Sequence, residues 1–208
     1  MWKARFARHF AVVATAFALL AGVGVQAARA QTDPAATTVD AFYKTLLETM
    51  KQANDLGVKG RYQKLEPAVE RAFNLPVMTR FAVGSKWNEF TDAERQAMID
   101  AFTKLTVASY AHNFNGYDGE RFDVSPTVQT RGVDKIVETK LVRQGEPPVT
   151  LNYRMRLADT TWKVIDVYYS GSISQLTIRR ADLAATAMTG GAKALTKNLN
   201  NQADKLLK

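Results

Sequence analysis

The sequence contains no cysteine in its 208 residues. This absence excludes thiol catalysis, thiolate metal sites and disulfide bonds, and it is compatible with an oxidising compartment without requiring one. Histidine is scarce as well, since only His9 and His112 occur and His9 lies within the first 30 residues. The rest of the chain therefore cannot assemble a metal cluster from several histidines, and a Ser-His-Asp triad would have to use His112.

Motifs for catalysis and phosphate binding are missing too. The sequence has no glycine-rich phosphate loop, no HExxH segment and no nucleophile elbow. His112 falls at the end of a predicted long helix, where a partner for the helix dipole or a packing residue is the favoured interpretation. We therefore predict no catalytic residues, no metal, no cofactor and no enzymatic activity.

The excess of positive charge is modest. The formal charge is +8, but four basic residues lie in the first 30 positions, which carry no acid, so the remainder of the chain has a charge of +4. This excess is spread along the chain, which favours a solvated basic surface over a nucleic-acid interface. We predict no nucleic-acid partner.

Residues 1–30 have the pattern of a cleavable secretory signal peptide. A basic start precedes an apolar run over residues 10–25, and Ala28-Arg29-Ala30 provides an A-x-A site. An uncleaved anchor is the alternative, but the run is shorter than the roughly 18–20 residues that span a membrane. We predict cleavage after Ala30 and one domain over residues 31–208, soluble outside the cytoplasm. The lack of cysteine excludes a lipoprotein anchor.

Helical periodicity dominates the chain up to residue 113. The first predicted helix is amphipathic, with its apolar stripe over residues 39–50, and ends near Gly57; the second begins at about Arg61 and has a bend or break at Pro67. A short helix follows between Asn74 and Gly84, and a long one runs from the capping box Thr91-Asp92-Ala93-Glu94 to Asn113. Two more helices are predicted after Gly171, separated by Gly190-Gly191.

The clearest strand pattern runs from residue 149 to residue 167. Residues 149–157 alternate apolar with polar, the segment 159–161 (DTT) is turn-prone, and residues 162–169 are rich in β-branched and aromatic side chains. Two earlier strands, the first with Pro126 at an edge or a bulge, bring the prediction to four antiparallel strands. The predicted fold is α+β, a twisted sheet with helices packed on one face.

Three segments near the C-terminus carry a family resemblance: 162–167 (WKVIDV), 171–174 (GSIS) and Arg179-Arg180. They resemble the MlaC/Ttg2D (toluene-tolerance) family of periplasmic lipid-binding proteins. The segments 73–76 (FNLP), 82–87 (AVGSKW) and 111–114 (AHNF) are most similar to the hopanoid-associated HpnM subgroup.

The resemblance implies an NTF2-like arrangement and a periplasmic carrier that shuttles a lipid between the inner and outer membranes. It further implies a phospholipid or hopanoid ligand, an ABC-type transporter complex in the inner membrane and a partner in the outer membrane. The residues predicted to line the lipid cavity are bulky side chains of the helices and of the two-stranded hairpin: Phe81, Val83, Trp87, Phe102, Leu105, Tyr110, Leu151, Tyr153, Met155, Val164 and Tyr168.

Two other classes of function stay open. Asp166 has the strand parity of Val164 and Tyr168, so a carboxylate inside an apolar pocket would fit an isomerase or dehydratase of the ketosteroid-isomerase type. A structural carboxylate held by nearby donors is the favoured interpretation of Asp166. The other class is a structural envelope adaptor with a filled core. The basic residues Arg80, Lys86, Arg179 and Arg180 would meet a lipid headgroup or a partner, although such residues are more often only solvated.

Overall fold

The computed structural model describes residues 32–208, so the predicted signal peptide and its cleavage site lie outside the described residues. The elements follow in the order α1 (Pro34–Lys51), α2 (Ala53–Ala72), α3 (Leu75–Val83), a 3-10 helix (Gly84–Glu89), α4 (Asp92–Asn113), β1 (Arg121–Arg131), β2 (Asp134–Val142), β3 (Val149–Ala158), β4 (Thr161–Tyr169), β5 (Ile173–Ser174) and α5 (Gln175–Leu206). The α+β class is confirmed. The NTF2-like arrangement stays a prediction.

Side chains mark where the helices begin. The Asn74 side chain accepts a hydrogen bond from the backbone N–H of Val77 at 3.3 Å, as predicted for α3. At the start of α4, the Thr91 side chain accepts from the backbone of Glu94 while the Glu94 carboxylate accepts from the backbone of Thr91. These bonds satisfy amide groups that the helix itself leaves without partners.

Glycines interrupt the helices where the backbone takes positive φ. Gly84 closes α3 (φ 75°), and Gly191 kinks α5 (φ 63°, ψ −163°), both as predicted. In α2 the prediction of a break at Pro67 is wrong, because the non-helical residue is Gly57 (φ 57°, ψ −179°). Gly57 and Gly191 occupy a region of φ and ψ that is almost exclusive to glycine. Pro67 is exposed and lies inside α2 beside the buried Ala68, and the helix continues through it.

The sheet has five antiparallel strands in the order β1-β2-β3-β4-β5, so the predicted count of four is wrong. The additional strand β5 has only two residues, which is too short to show an alternating pattern. β1 is an edge strand with a register shift between Val124 and Val128, where Pro126 lies, as predicted. In the two-residue turn between β3 and β4, Asp159 has φ 52°.

A bulge in β4 changes which side chains face the helices. Arg154 lies opposite Asp166 and Met155 lies opposite Val164, so Ile165 is an extra residue on β4. One inserted residue moves each later side chain to the other face of the sheet. Consequently Tyr168, predicted to face inward, pairs with Asn152 on the outer face. Val167 and Tyr169 pair instead with the inward-facing Tyr153 and Leu151.

The core lies between the helices and one face of the sheet. Its centre is a set of aromatic rings in edge-to-face contact: the ring centroids of Phe42 and Phe73 are 5.2 Å apart, and those of Tyr43 and Tyr153 are 5.6 Å apart. These four side chains are at most 3% exposed. Within residues 32–208, no helix has both the length and the apolarity that crossing a membrane requires.

Candidate functional site

A cavity of about 330 Å³ lies between α4, the hairpin of β3 and β4, and the first turns of α5. Its volume is within the range of roughly 300–1,000 Å³ that is usual for ligand sites. The lining residues come from five elements and the segments beside them: Phe73, Met78, Phe102, Thr106, Ser109, Tyr110, Asn113, Phe114, Leu151, Tyr153, Asp166, Val167, Tyr169, Gln175, Leu176, Ile178, Arg179 and Asp182.

The floor of the cavity is apolar and aromatic. Phe73, Phe102 and Tyr153 line the cavity and are at most 4% exposed. Tyr110 packs edge-to-face on Phe73 at 5.7 Å and stacks on Phe114 at 5.7 Å. A floor of this kind favours hydrocarbon over charged groups, because it offers contact without ionic partners.

Three tyrosine hydroxyls near the floor remain protonated at neutral pH. Burial raises the pKa of Tyr43 to about 12, and the Tyr43 hydroxyl is 2.7 Å from the hydroxyl of Thr139. Burial also raises the pKa values of Tyr110 and Tyr153. These side chains therefore act as neutral hydrogen-bonding groups and not as bases.

The Asp166 carboxylate holds the start of α5. It accepts hydrogen bonds from the Ser174 hydroxyl at 2.6 Å, from the Leu176 backbone N–H at 3.1 Å and from the Val167 backbone N–H at 2.8 Å. Ser174 in turn caps α5 by accepting from the N–H of Thr177 at 2.9 Å. The segments WKVIDV and GSIS thus meet at one structural joint, which confirms the interpretation of Asp166 as a structural carboxylate.

The mouth of the cavity is formed by exposed side chains. Tyr169 is 47% exposed and Ile178 is 45% exposed, so apolar surface continues from the floor to the solvent. Arg179 lies beside them, half-buried, and donates a hydrogen bond to the side-chain oxygen of Gln202 at 2.9 Å. Desolvation lowers the pKa of Arg179, and the charge of Asp182 acts in the opposite direction.

The predicted lining residues divide between the cavity and other places. Those that line the cavity are Phe102, Tyr110, Leu151 and Tyr153. Those buried elsewhere in the core are Val83, Leu105, Met155 and Val164. Phe81, 43% exposed, lines two smaller clefts, one against β3, β4 and the start of α5 and one beside the 3-10 helix. Trp87 belongs to that helix, and Tyr168 lies on the outer face of the sheet.

Several lining residues were not predicted. Phe73 and Met78 belong to apolar patterns of the predicted helices, but those patterns do not separate a cavity wall from a core position. Val167 and Tyr169 alternate with Tyr168 along β4, and the bulge brings them, instead of Tyr168, to the helix side of the sheet. The consecutive apolar pair Val164-Ile165 is the sequence signal of that bulge, since it breaks the alternation of β4.

A larger cleft of about 800 Å³ lies between α2, α4 and the turn that joins β3 to β4. Its lining includes Glu66, Glu70, Asp100 and Lys104. These charged groups make it a poor site for hydrocarbon. Among residues 32–208, no group of three or more histidine, aspartate or glutamate side chains is placed to hold a metal ion.

Comparison with known proteins identifies the family. The family model of the MlaC protein matches residues 40–201, which is most of the chain. The chain therefore belongs to the MlaC family. A solved structure of a phospholipid-binding protein from Ralstonia solanacearum, in complex with a phospholipid, has the same fold with a TM-score of 0.72. The two sequences are 23% identical, and the structural match covers 84% of this chain and 99% of the Ralstonia solanacearum chain. A search of curated proteins gave no match.

Proposed function

We propose that this protein is a periplasmic lipid carrier that holds a phospholipid or a hopanoid in the 330 Å³ cavity. The observation that carries the proposal is a cavity with a buried aromatic floor and an exposed apolar mouth in a member of the MlaC family. The phospholipid bound to the Ralstonia solanacearum protein supports the same ligand class. The pattern of residues 1–30 supports a periplasmic location.

Hydrocarbon burial is sufficient for this task. Each methylene group moved from water into an apolar site contributes about 0.8 kcal/mol. A cavity that shields part of a lipid tail therefore stabilises the complex without any chemical step. We further propose that the carrier exchanges lipid with an ABC-type transporter of the inner membrane and a partner of the outer membrane, which gives the lipid a route between the two membranes.

The groups around the cavity favour binding over catalysis. The Asp166 carboxylate is already engaged by Ser174, Val167 and Leu176. The buried tyrosines have raised pKa values and stay neutral. An isomerase of the ketosteroid-isomerase type needs a carboxylate that is free to move a proton, and Asp166 does not meet this requirement.

Filling the cavity tests the proposal. Leu151→Trp adds bulk at a half-buried lining position of β3, so we expect thermal stability to change little while co-purified lipid falls severalfold. Leu157→Trp is the matched control: it makes the same change on the same strand at a residue that is 50% exposed and does not line the cavity. Mass spectrometry of the purified proteins measures lipid per folded molecule.

The alternatives give different results in the same experiment. Wild-type protein that carries no lipid from its own envelope, and takes up none in vitro, would indicate a structural adaptor. Turnover of an added steroid-like substrate would indicate an isomerase. Equal lipid content in the Leu151→Trp and Leu157→Trp variants would show that lipid binds outside this cavity.

A further inference from the structure

We propose that a surface cleft lined by Arg80, Arg154 and Arg180, the arginine cleft, is a docking site for an acidic segment of a partner protein. The arginine cleft is separate from the lipid cavity. The inference goes beyond the proposed function and rests on it in one respect, that the partner is a protein with which the carrier exchanges lipid. Its basis is the positive charge of the cleft and the position of the cleft beside the first turn of α5.

The arginine cleft consists of two adjoining hollows. One, of about 170 Å³, lies against β3, β4 and the start of α5, and its lining includes Arg154 and Arg180. The other, of about 220 Å³, lies beside the 3-10 helix, and its lining includes Arg80 and Arg180. Phe81 and Arg180 line both hollows, so the two adjoin. Elements far apart in the sequence, α3, β3 and α5, therefore bring three guanidinium groups to one concave surface.

The lining of the arginine cleft does not neutralise this positive charge. Within residues 32–208, Arg80 and Arg180 have no carboxylate within 4.0 Å, whereas Arg154 is paired with Asp134. The one acid among the described lining residues is Asp166, whose carboxylate already accepts the three hydrogen bonds that hold the start of α5. Like charges held close together repel, and an anion bound among them removes that repulsion.

Packing against Gly84 holds Arg180 in position. A Cβ added to Gly84 would lie 3.1 Å from Nη2 and 3.2 Å from both Cζ and Nε of Arg180, so the guanidinium packs directly on the glycine. The positive φ of Gly84, 75°, is a second reason for glycine at this position. A guanidinium that is already held in place loses less freedom on binding, and its planar fork matches the two oxygens of a carboxylate.

The shape of the arginine cleft favours protein side chains over a membrane surface. Each hollow is smaller than the roughly 300 Å³ at which small-molecule sites usually begin. Both are concave, whereas a protein that lies on a bilayer contacts it through side chains that protrude. Phe81, 43% exposed, lies between the hollows and offers apolar contact to the methylene groups of a bound segment. An extended segment with acidic side chains entering adjoining hollows fits this surface.

The arginine cleft and the lipid cavity share a wall. Asp166 and Leu176 line both spaces. Tyr169 and Ile178, the exposed residues at the mouth, line the cavity and not the arginine cleft. An acidic segment seated in the cleft therefore contacts the first turn of α5 without covering these mouth residues. Lipid exchange with a docked partner requires such an arrangement, because the mouth must stay open.

The probe is a fluorescently labelled hexaglutamate peptide, and hexaglutamine is its uncharged control. Fluorescence anisotropy at physiological ionic strength measures binding to the mature, lipid-loaded protein. We expect wild type to bind hexaglutamate and not hexaglutamine. Arg80→Gln/Arg180→Gln should bind it about tenfold or more weakly, because hydrogen bonds between charged groups are lost. Arg71→Gln/Arg131→Gln removes the same charge from two exposed arginines outside the cleft and should change the affinity by no more than about twofold.

A second variant blocks the cleft and keeps all its arginines. Thr177 is exposed, lines the hollow that Arg154 and Arg180 share, and follows the cap residue Ser174 by three positions. Thr177→Glu therefore creates the pattern of a capping box, which preserves the start of α5. Its carboxylate lies beside the arginines, so hexaglutamate binding should again fall about tenfold or more. Thr189→Glu makes the same change at an exposed position of α5 outside the cleft and should bind as wild type does.

Other results would overturn the inference. Wild type that does not bind hexaglutamate would refute it, and normal lipid content in that protein would leave the carrier function intact. Equal losses in the two double variants, or wild-type affinity in Thr177→Glu, would attribute binding to net charge alone. Binding to vesicles of phosphatidylglycerol and phosphatidylcholine that requires Arg80 and Arg180, without peptide binding, would assign the cleft to a membrane surface. Site-dependent peptide binding by a protein that carries no lipid would support the docking site and count against the carrier function.

Discussion

The two ends of the β3–β4 hairpin differ although their sequence pattern is the same. Met155 and Val164, nearer the turn, are at most 1% exposed and belong to the packed core. Leu151 and Val167, nearer the other end, are half-buried and face the cavity. All four lie on the helix-facing side of the sheet. The apolar alternation of a strand therefore specifies which face is buried, and it leaves open whether that face is filled.

The ends also differ in what pairs with the free edge of β4. Near the turn, the junction between α2 and α3 lies beside β4 in the plane of the sheet: Phe73 forms an isolated parallel bridge to Val164, and the backbone N–H of Asn74 donates to the Val164 carbonyl at 2.8 Å. At the open end, β5 pairs with Tyr168 and Tyr169. There the covering element is the start of α5, which Asp166 holds at its first turn.

Truncation should have its largest effect at the packed end. We expect Met155→Ala to lower the free energy of unfolding by about 2–5 kcal/mol, because it leaves a void in a filled core. Leu151→Ala should cost less than about 2 kcal/mol, since that side chain already borders empty space. Urea unfolding of the lipid-free proteins measures both values, and lipid must be absent because a bound ligand stabilises the folded state.

Equal losses for the Met155→Ala and Leu151→Ala variants would contradict the comparison. Such a result would mean that the open end is as well packed as the other in solution. A larger loss of unfolding free energy in Leu151→Ala than in Met155→Ala would reverse the comparison between the two ends.

The second-largest effect is expected from acid, which should lower the free energy of unfolding by weakening the ion pairs of Asp134 near the packed end of the hairpin. Asp134 is 2% exposed and accepts hydrogen bonds from Arg156 at 2.6 and 2.8 Å and from Arg154 at 2.6 Å. The bonds from Arg156 are the largest cause that holds the pKa of Asp134 below its usual value. A carboxylate with a lowered folded pKa contributes stability above its unfolded pKa of about 3.9, and this contribution is lost as the pH falls through the folded pKa.

Unfolding free energies measured between pH 7 and pH 2 test this expectation. The Asp134→Asn variant should be less stable than wild type at pH 7 and should show a shallower decline below about pH 4. The control is Asp123→Asn, which removes an ion pair with Arg121 that is open to solvent; exposed pairs of this kind contribute little. An acid decline as steep in Asp134→Asn as in wild type would assign the effect to other carboxylates.

The smallest effect is expected at His112, beside Asn113 at the mouth of the cavity. His112 is exposed, so His112→Ala should change the free energy of unfolding by no more than about 0.5 kcal/mol. Bound lipid should also be unchanged. A folded His112→Ala protein that carries normal lipid in vitro but fails in cells would point to a role of this residue that the cavity does not explain.

Local signals in the sequence predicted much of the fold. The capping box at Thr91, the cap at Asn74 and the glycine at 191 were each recognised from residue types whose chemistry acts within one turn. The hairpin was recognised because its alternation and its turn at Asp159 agree. The α+β class follows from these elements.

The features that were missed depend on contacts far apart in the sequence. The bulge at Ile165 is defined by the pairing of β3 with β4, and it decides that Tyr169 and not Tyr168 faces the cavity. Met155 and Leu151 look equivalent in the alternation, and only tertiary packing separates the fully buried Met155 from the half-buried Leu151. The strand pattern selected three residues of β3, of which Leu151 and Tyr153 line the cavity and Met155 lies in the packed core.

The edges of the sheet bear on how the protein behaves at high concentration. An unpaired strand edge is a template for adding strands from another molecule, which leads to aggregation. Here one edge is β1, interrupted at Pro126. Along the other edge, β5 pairs with Tyr168 and Tyr169 of β4, and the α2–α3 junction bridges to Val164, so the free edge of β4 is divided into short pieces. Neither offers a long, regular row of free amide and carbonyl groups. The exposed apolar mouth of the cavity is one surface through which two molecules could associate. Pairing of sheet edges would be a second, and the short, interrupted strand edges remove it.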